Sequence, residues 1–280
     1  MKLYYYAHTG HANSLDRLRK ASALLNTLNA HGLDTMLLLN DFRAGLVAKE
    51  LGIKDSVTIE TVMDIDAIAT FGDVVIIDSP EDDKGRMEQY CRDYKQVFRF
   101  AEEDNATSRY GEIVLPCDVC ITDDIYTQAS TKEERTLLFL GDNDRDKKIL
   151  AQADFFDESM ELLLGHYFYV KYEKDLANIF TTMHESDEYS ELISNSKNVV
   201  TTSPQCALEA RISGANVIFI DDGKQKNCTK KLLDEFQILT IDGFDKQKYQ
   251  QAMLNNTKKS NIPTQKTEII VSKILNNLSL

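Results

Sequence analysis

The feature of this sequence that most constrains its fold is a series of short apolar runs, each followed by a helical pattern. The runs VVIIDSP (74–80) and NVIFIDD (216–222) are apolar at nearly every position until their last residues. A strand of this composition is buried on both faces, as in parallel sheets that helices cover on both sides. The alternation of such strands with helices therefore predicts an α/β fold.

The series of strands and helices runs through the chain twice. Its predicted strands are KLYYYAH, TMLLLN, VTIE, DVVIIDSP, QVFRFAEED and DVCITDD, and then TLLFLGD, HYFYVKY, NVVTTS, NVIFIDD and ILTID. We place the domain boundary in the polar stretch between the two series. Residues 1–130 are expected to form a Rossmann-like domain on the catalytic or acceptor side, and residues 131–280 a second one on the nucleotide side. Two such domains would face a cleft, into which the carboxyl ends of the strands point.

Charge and hydropathy exclude several kinds of partner. The 280 residues carry a formal net charge of −13, which argues against nucleic acid or an anionic membrane, because both require basic surface. The chain has no run of about 18 apolar residues that would span a bilayer. Its N-terminus shows no cleavable signal pattern. We expect a cytoplasmic protein without an integral membrane segment, and the sequence leaves its oligomeric state open.

Two segments contain metal-ligand residues, and we interpret both as structural. Cys117 and Cys120 form a C-x-x-C, but no second pair of ligands follows at zinc spacing. We read them as buried thiols, with a redox or zinc half-site as the alternative. The acidic run at 142–146 is similar to the start of a calcium loop, but it lacks the glycine and the twelfth-position glutamate of an EF-hand. We therefore expect no metal and no cofactor.

The segment AHTGH, residues 7–11, lies between the first predicted strand and the first predicted helix. Backbone amides at a helix start can hold an anion, and a neutral imidazole can act as a general base because its pKa lies near working pH. His8, Gly10 and His11 are therefore candidate site residues. The alternative is that His8 merely ends a strand and His11 decorates a loop.

Asp78 ends the strongest predicted strand and would point into the same cleft. There its carboxylate could orient a sugar hydroxyl or the catalytic histidine, so we take it as a candidate catalytic residue. The alternative is that Asp78 caps the following helix, a role that an Asp-Ser-Pro sequence serves well.

A second group of candidates lies in the second half of the chain. The strand NVVTTS ends in hydroxyl residues and a helix is predicted to begin at Pro204. The free amides of its first turn, with Thr202 and Ser203, suit a diphosphate. Glu209 could accept hydrogen bonds from two ribose hydroxyls, although it could also be a solvent-facing residue on a helix flank. Gly141, at the end of TLLFLGD, would let a phosphate approach closely.

Set together, these motifs resemble GT-B-fold nucleotide-sugar proteins, most of all the UDP-sugar hydrolase of the pseudaminic acid pathway and the glycosyltransferase family 28-like group. In that family a G-x-G-H-x-x-R segment opens the first helix, and its histidine is the proposed base. HTGHANSLDR is similar to that segment and places His11 at the histidine, with Asn13 and Arg17 among the substrate-binding residues. SPQCALEARISGANVIFI is similar to the family's uridine-binding loop and helix, with Glu209 at its glutamate. Gln225 falls where the family has an Asn-Gln pair.

The resemblance implies an enzyme that acts on a UDP-linked amino sugar in a bacterial surface-glycan pathway. Water would attack the anomeric carbon, His11 would take its proton, and UDP would leave without help from a metal. Two alternatives stay open: a glycosyltransferase with a soluble acceptor, and a non-catalytic homologue. The second is suggested by lost glycines, since His8, Thr202 and Ser203 stand where the family has glycine. The resemblance also implies that the closing helix, predicted over 264–279, packs back across the first domain.

Overall fold

The computed structural model describes residues 1–10, 14–128, 130–168, 172–255 and 264–278. The chain divides into two compact units. The first consists of Met1–Asp123 and Gln265–Leu280, and the second of Asp124–Thr264.

The first unit is built on one six-stranded parallel sheet. Its strands are β1 (Leu3–Ala7), β2 (Thr35–Leu39), β3 (Ser56–Thr58), β4 (Val74–Asp78), β5 (Gln96–Phe100) and β6 (Ile113–Leu115). Its sheet order is β3-β2-β1-β4-β5-β6, and every neighbouring pair is parallel. The connecting helices are α1 (Asp16–Ala30), α2 (Phe42–Glu50) and α3 (Arg86–Asp93), with a 3-10 helix at Val62–Ala67.

The central strands of this sheet are the apolar runs of the sequence. All five residues of β1 and all five of β4 are buried, as expected for strands covered on both faces. Helix α1 presents its leucines to the core at helical spacing. The Asp16 amide at its start is bonded to the Ser14 hydroxyl at 3.2 Å.

The second unit has its own six-stranded parallel sheet. Its strands are β7 (Glu133–Phe139), β8 (Met160–Leu163), β9 (Met183–His184), β10 (Ser196–Thr201), β11 (Asn216–Asp221) and β12 (Leu239–Asp242). Its helices are α4 (Lys148–Ala151), α5 (Glu173–Leu176), α6 (Tyr189–Asn195), α7 (Pro204–Ile212), α8 (Asn227–Glu235) and α9 (Lys246–Asn255). The order β12-β11-β10-β7-β8-β9 repeats the topology of the first sheet.

The last helix, α10 (Thr267–Leu278), belongs to the first unit and packs against α1. It buries Ile270, Val271 and Ile274. The two parallel sheets and the returning helix confirm the predicted fold class. Among the described residues, no helix is long and apolar enough to cross a membrane.

In each sheet the strand order reverses between two central strands. The reversal lies between β1 and β4 in the first unit and between β7 and β10 in the second. Open parallel sheets bind ligands beyond the carboxyl ends of the strands at this point. Each unit therefore offers one such position, and the candidate residues of the sequence lie at both.

Two predicted strands are wrong. DVCITDD is a loop in the structure, where Cys120 O accepts a hydrogen bond from Lys266 N and Thr122 O accepts one from Thr267 Oγ1 at the start of α10. HYFYVKY, of which residues 169–171 lie outside the described part, is not a strand at its described residues. Tyr167 N bonds to Asp142 O at 2.8 Å, and buried Tyr172 bonds to Asp144. An alternating aromatic pattern fills a core equally well from a loop.

Candidate functional site

Asp78, at the carboxyl end of β4, is buried and held by two cations. Its carboxylate accepts hydrogen bonds from the Tyr5 hydroxyl at 2.9 Å and from Arg17 Nε at 3.2 Å, and Lys20 Nζ lies 2.7 Å away. Burial alone would raise the pKa of the Asp78 carboxyl, but Lys20 and Arg17 hold it below its usual value. The alternative role as a helix cap is wrong, since Gly85 precedes the first residue of α3. The predicted catalytic role of Asp78 stays a prediction.

Arg17 joins Asp78 to a second carboxylate. Its Nη2 donates to Glu102 Oε1 at 2.8 Å, beyond the end of β5. Burial lowers the pKa of the Arg17 guanidinium, but the charges of Asp78 and Glu102 raise this pKa by more, so Arg17 stays charged. Arg17 and Lys20 are three residues apart on α1 and therefore share one face of the helix. Helix α1 thus supplies the positive charge at the end of the first sheet.

His8 follows β1 directly and sits beside Asp78. Its backbone amide donates to Asp78 O at 3.1 Å. Its Nε2 lies 3.8 Å from Glu81 Oε1, and its side chain is 14% exposed. Its Nδ1 is buried and has no hydrogen-bond partner within the described ranges. Burial, with the charge of Arg17, lowers the pKa of the imidazole below 6.5, against the opposing effect of Glu81 and Glu102.

The turn after His8 is fixed by hydrogen bonds and backbone conformation. Thr9 N donates to Asn40 Oδ1 at 2.7 Å. Gly10 has φ of +135°, a conformation that side chains rarely adopt. His11 and Asn13, the predicted base and a predicted binding residue, lie outside the described residues.

Sequence reasoning missed Glu81, the next acidic residue after Asp78. Its Oε2 accepts hydrogen bonds from the Tyr6 hydroxyl at 2.6 Å, Ser79 Oγ at 2.9 Å and Val62 N at 3.2 Å. The run DSPEDD after the strand was the available signal, but none of these partners is apparent from the sequence.

Glu81 also lines a cavity of about 460 Å³ in the first unit. The charged and polar side chains around it include Ser79, Glu81, Asp83, Arg99, Glu102 and Arg109. Both arginines have carboxylate partners: Arg99 bonds to Glu112 at 3.1 Å, and Arg109 bonds to Asp83. The volume is in the range of small-molecule sites.

At the switch point of the second unit, Gly141 and Thr202 are brought together. Gly141 has φ of +104° with open space around its Cα. Thr202 Oγ1 donates to the carbonyl of the preceding Leu140 at 2.9 Å. Ser203 Oγ accepts from Cys206 N at 3.1 Å and caps α7, which begins at Pro204 as predicted. The loop is compact, and its backbone amides lie at a helix start.

Glu209 is enclosed within the second unit. It is 2% exposed, so the alternative of a solvent-facing glutamate is wrong. Its Oε2 accepts from the Tyr189 hydroxyl at 2.6 Å, and its Oε1 from Gln205 Nε2 at 2.9 Å. Each of its oxygens thus accepts one internal hydrogen bond, and the predicted role of Glu209 in ribose binding stays a prediction.

The remaining predicted segments have local roles in the structure. Asp144 accepts from Lys148 N at 2.7 Å and Ile149 N at 3.2 Å and so anchors the start of α4. Gln225 lies half-buried just before α8. Cys120 of the C-x-x-C is buried and forms no disulfide, so the motif does not close on itself, whereas Cys117 is only half-buried and the expectation of two buried thiols is wrong for it.

Comparison with known proteins identifies the fold. No protein-family model matches the chain, and no curated protein sequence matches it. Solved structures do match. The Methanocaldococcus jannaschii UDP-GlcNAc 2-epimerase, in complex with UDP-GlcNAc and UDP, is 12% identical with a TM-score of 0.58 and 99% of each chain covered. The S. aureus MnaA–UDP co-structure is 13% identical with a TM-score of 0.62, covering 100% of this chain and 98% of that one.

A glycosyltransferase also matches. Spinosyn rhamnosyltransferase SpnG, complexed with spinosyn aglycone, is 9% identical with a TM-score of 0.55, covering 100% of this chain and 96% of that one. At such identities the likeness concerns the fold alone. The class is therefore a two-unit α/β protein with a GT-B-like fold, as the strand order of both sheets also indicates.

Proposed function

We propose that this protein acts on a UDP-linked amino sugar and releases UDP by attack of water at the anomeric carbon. The observation that carries the proposal is the fold, which over nearly the whole chain is similar to structures that hold UDP or UDP-GlcNAc. A fold hosts many functions, so the site residues must supply the rest of the argument.

The second unit is proposed to bind the nucleotide. The amides at the start of α7, with the Thr202 and Ser203 hydroxyls, offer donors for a diphosphate, and helix starts favour negative charge. Gly141 carries no side chain that would crowd a phosphate. Glu209 is the candidate ribose acceptor, and Gln225 a candidate contact to the base or sugar.

The first unit is proposed to supply the acid–base chemistry. An attacking water must lose a proton as its oxygen bonds to the anomeric carbon, and a neutral histidine of the loop after β1 can accept it. The sequence resemblance favours His11 for this role. Arg17 is the candidate partner for negative charge on the substrate, and Asp78 holds Arg17 in place.

Three other outcomes have specific support. The 2-epimerases among the similar structures favour epimerisation at C2 of a UDP-sugar, and the rhamnosyltransferase favours transfer to a soluble acceptor. The bonds that Glu209 accepts from Tyr189 and Gln205 favour a non-catalytic homologue that has lost the nucleotide site.

One incubation separates these functions. The protein is mixed with UDP-N-acetylglucosamine, and the products are followed by phosphorus and proton NMR. Free UDP with the free sugar supports hydrolysis, whereas a new UDP-sugar without free UDP supports epimerisation. Turnover that appears only with added sugar or alcohol acceptors supports transfer. If the protein neither turns over nor binds UDP-N-acetylglucosamine at millimolar concentration, the nucleotide-sugar proposal is refuted.

A further inference from the structure

We propose that His8, positioned by Glu81, accepts the proton of the attacking water, an inference that rests on the proposed function. The resemblance favours His11 as the base, with His8 as a further candidate site residue, and Glu81 is not among the predicted residues. Both lie at the switch point of the first sheet, where a ligand is expected.

The two nitrogens of His8 have different surroundings. Nε2 faces Glu81 Oε1 at 3.8 Å, whereas Nδ1 is buried without a hydrogen-bond partner in the described part of the chain. A buried polar atom without a partner is costly, so Nδ1 is a position where a bound water or hydroxyl would be stabilised. The carboxylate favours the tautomer with its proton on Nε2, which leaves the Nδ1 lone pair free.

Glu81 is itself held in one orientation. Three donors, Tyr6, Ser79 and the Val62 amide, all bond to its Oε2. Its Oε1 is left to face His8. A carboxylate fixed in this way orients the imidazole and stabilises the imidazolium that forms when Nδ1 takes a proton, the same logic as in a catalytic triad.

The groups around His8 act on the pKa of its imidazole in opposite directions. Burial and the Arg17 charge lower its pKa, whereas Glu81, Glu102 and Asp78 raise it. The net result is a pKa below 6.5, so the imidazole is neutral and able to accept a proton at pH 7.

The water oxygen forms a bond to the anomeric carbon while the bond from that carbon to the phosphate oxygen breaks. The electron pair of the broken bond leaves with UDP. The water proton moves to His8 Nδ1, and the imidazolium later returns it to solvent.

The first test does not depend on turnover. The chain has only five histidines, so nitrogen-15 NMR of labelled protein can assign each by a single His→Gln variant. We expect His8 to be the Nε2–H tautomer with a pKa below 6.5, and Glu81→Gln to lower that pKa further because it removes a negative charge. An Nδ1–H tautomer, or a pKa that Glu81→Gln leaves unchanged, would overturn the proposal.

The second test measures UDP release from UDP-N-acetylglucosamine across pH. His8→Gln should lower kcat at least about 100-fold, the lower range for loss of a general base, and leave KM within about twofold. Glu81→Gln should lower kcat less and move the acidic limb of the profile to lower pH. The matched controls His31→Gln and Glu268→Gln, which alter an exposed histidine–glutamate pair, should leave both unchanged.

His11→Gln separates the two candidate bases. If it abolishes turnover and the acidic limb while His8→Gln retains both, His8 is not the base. Should His8→Gln lower the melting temperature, His8→Gly with added imidazole replaces it, and rescue of turnover is then expected. If the wild-type protein binds the UDP-sugar without turning it over, the proposed reaction is refuted. The NMR measurement of the His8 tautomer and pKa does not depend on turnover.

Discussion

Replacing Asp78 by asparagine should destabilise the first unit far more than the same change at the other end of its strand. Asp78 is buried and faces two cations, Arg17 and Lys20. The asparagine would keep the shape but remove the charge. Arg17 would still have Glu102, whereas Lys20 would keep, among the described residues, only its position over the Phe100 ring, 4.1 Å from the centroid.

The expected size follows from the loss of a buried counter-charge. Removing one partner of a buried ion pair costs about 3–5 kcal/mol. At roughly 2–4 °C per kcal/mol for a protein of this size, the lower figure corresponds to a fall of about 6–12 °C in melting temperature. Calorimetry or thermal melts followed by circular dichroism would measure it.

Asp73, which precedes β4, provides the matched control. It is also buried, but its hydrogen bonds within the described ranges come from neutral groups, the Lys2 amide and both donors of Thr70. Asp73→Asn should cost about 1–2 kcal/mol. Adding Lys20→Met to Asp78→Asn should restore part of the loss, because the unpaired ammonium is then gone. Equal effects of the two Asp→Asn changes, or no recovery in the double variant, would refute the ion-pair argument.

Three further predictions concern pH, packing and ligand binding. Asp78, Asp83 and Glu112 have pKa values below their usual range. The stability that they contribute should therefore be present above about pH 4.5 and be lost as the pH falls through their pKa values in the folded state. Urea midpoints at pH 7, 5, 4 and 3 would test this, and a decline beginning near pH 6 would contradict it. Gly165→Ala should lower the melting temperature strongly because a Cβ would overlap the Asp142 backbone. Gly223→Ala, in open space at φ of +82°, should cost only about 1 kcal/mol. Similar losses in the two variants would argue against the close approach of Gly165 to Asp142. UDP at about 100 times its dissociation constant should stabilise the protein by roughly 2.7 kcal/mol. The same UDP concentration should stabilise Glu209→Ala less, but it should stabilise Tyr189→Phe, which lacks only the hydroxyl bonded to Glu209, as much as the wild type. An undiminished effect in Glu209→Ala would remove Glu209 from the nucleotide site.

The central strands could be predicted because their signal is local. Five consecutive buried residues in β1 and in β4 are visible as apolar runs, and the parallel α/β class follows from their alternation with helices. The strand β8 was missed for the opposite reason. Its sequence MELL is short and unremarkable beside the aromatic run HYFYVKY, whose described residues pack from a loop.

The candidate site was harder to predict because its properties arise from partners distant in sequence. The position of Asp78 at the end of a strand is visible in the sequence. The hydrogen bonds that its carboxylate accepts from Tyr5 and Arg17, however, come from residues 73 and 61 positions away. Glu209 likewise could be placed on a helix, yet its burial depends on Tyr189 from another helix. Sequence patterns locate such carboxylates without indicating whether their oxygens are free.

The two histidines of AHTGH also differ in partners that are distant in sequence. The sequence motif favours His11 as the general base, because it matches a histidine that follows a glycine before the first helix. A histidine base instead needs a neutral ring with one nitrogen free, and a carboxylate behind the other nitrogen fixes the tautomer and stabilises the imidazolium. His8 meets this requirement only because Tyr6, Val62 and Ser79 converge on one oxygen of Glu81 and leave the other for the imidazole. Since Tyr6 lies 75 positions from Glu81, that arrangement exists only once the parallel strands β1 and β4 have paired, and the choice between the two histidines therefore depends on the fold.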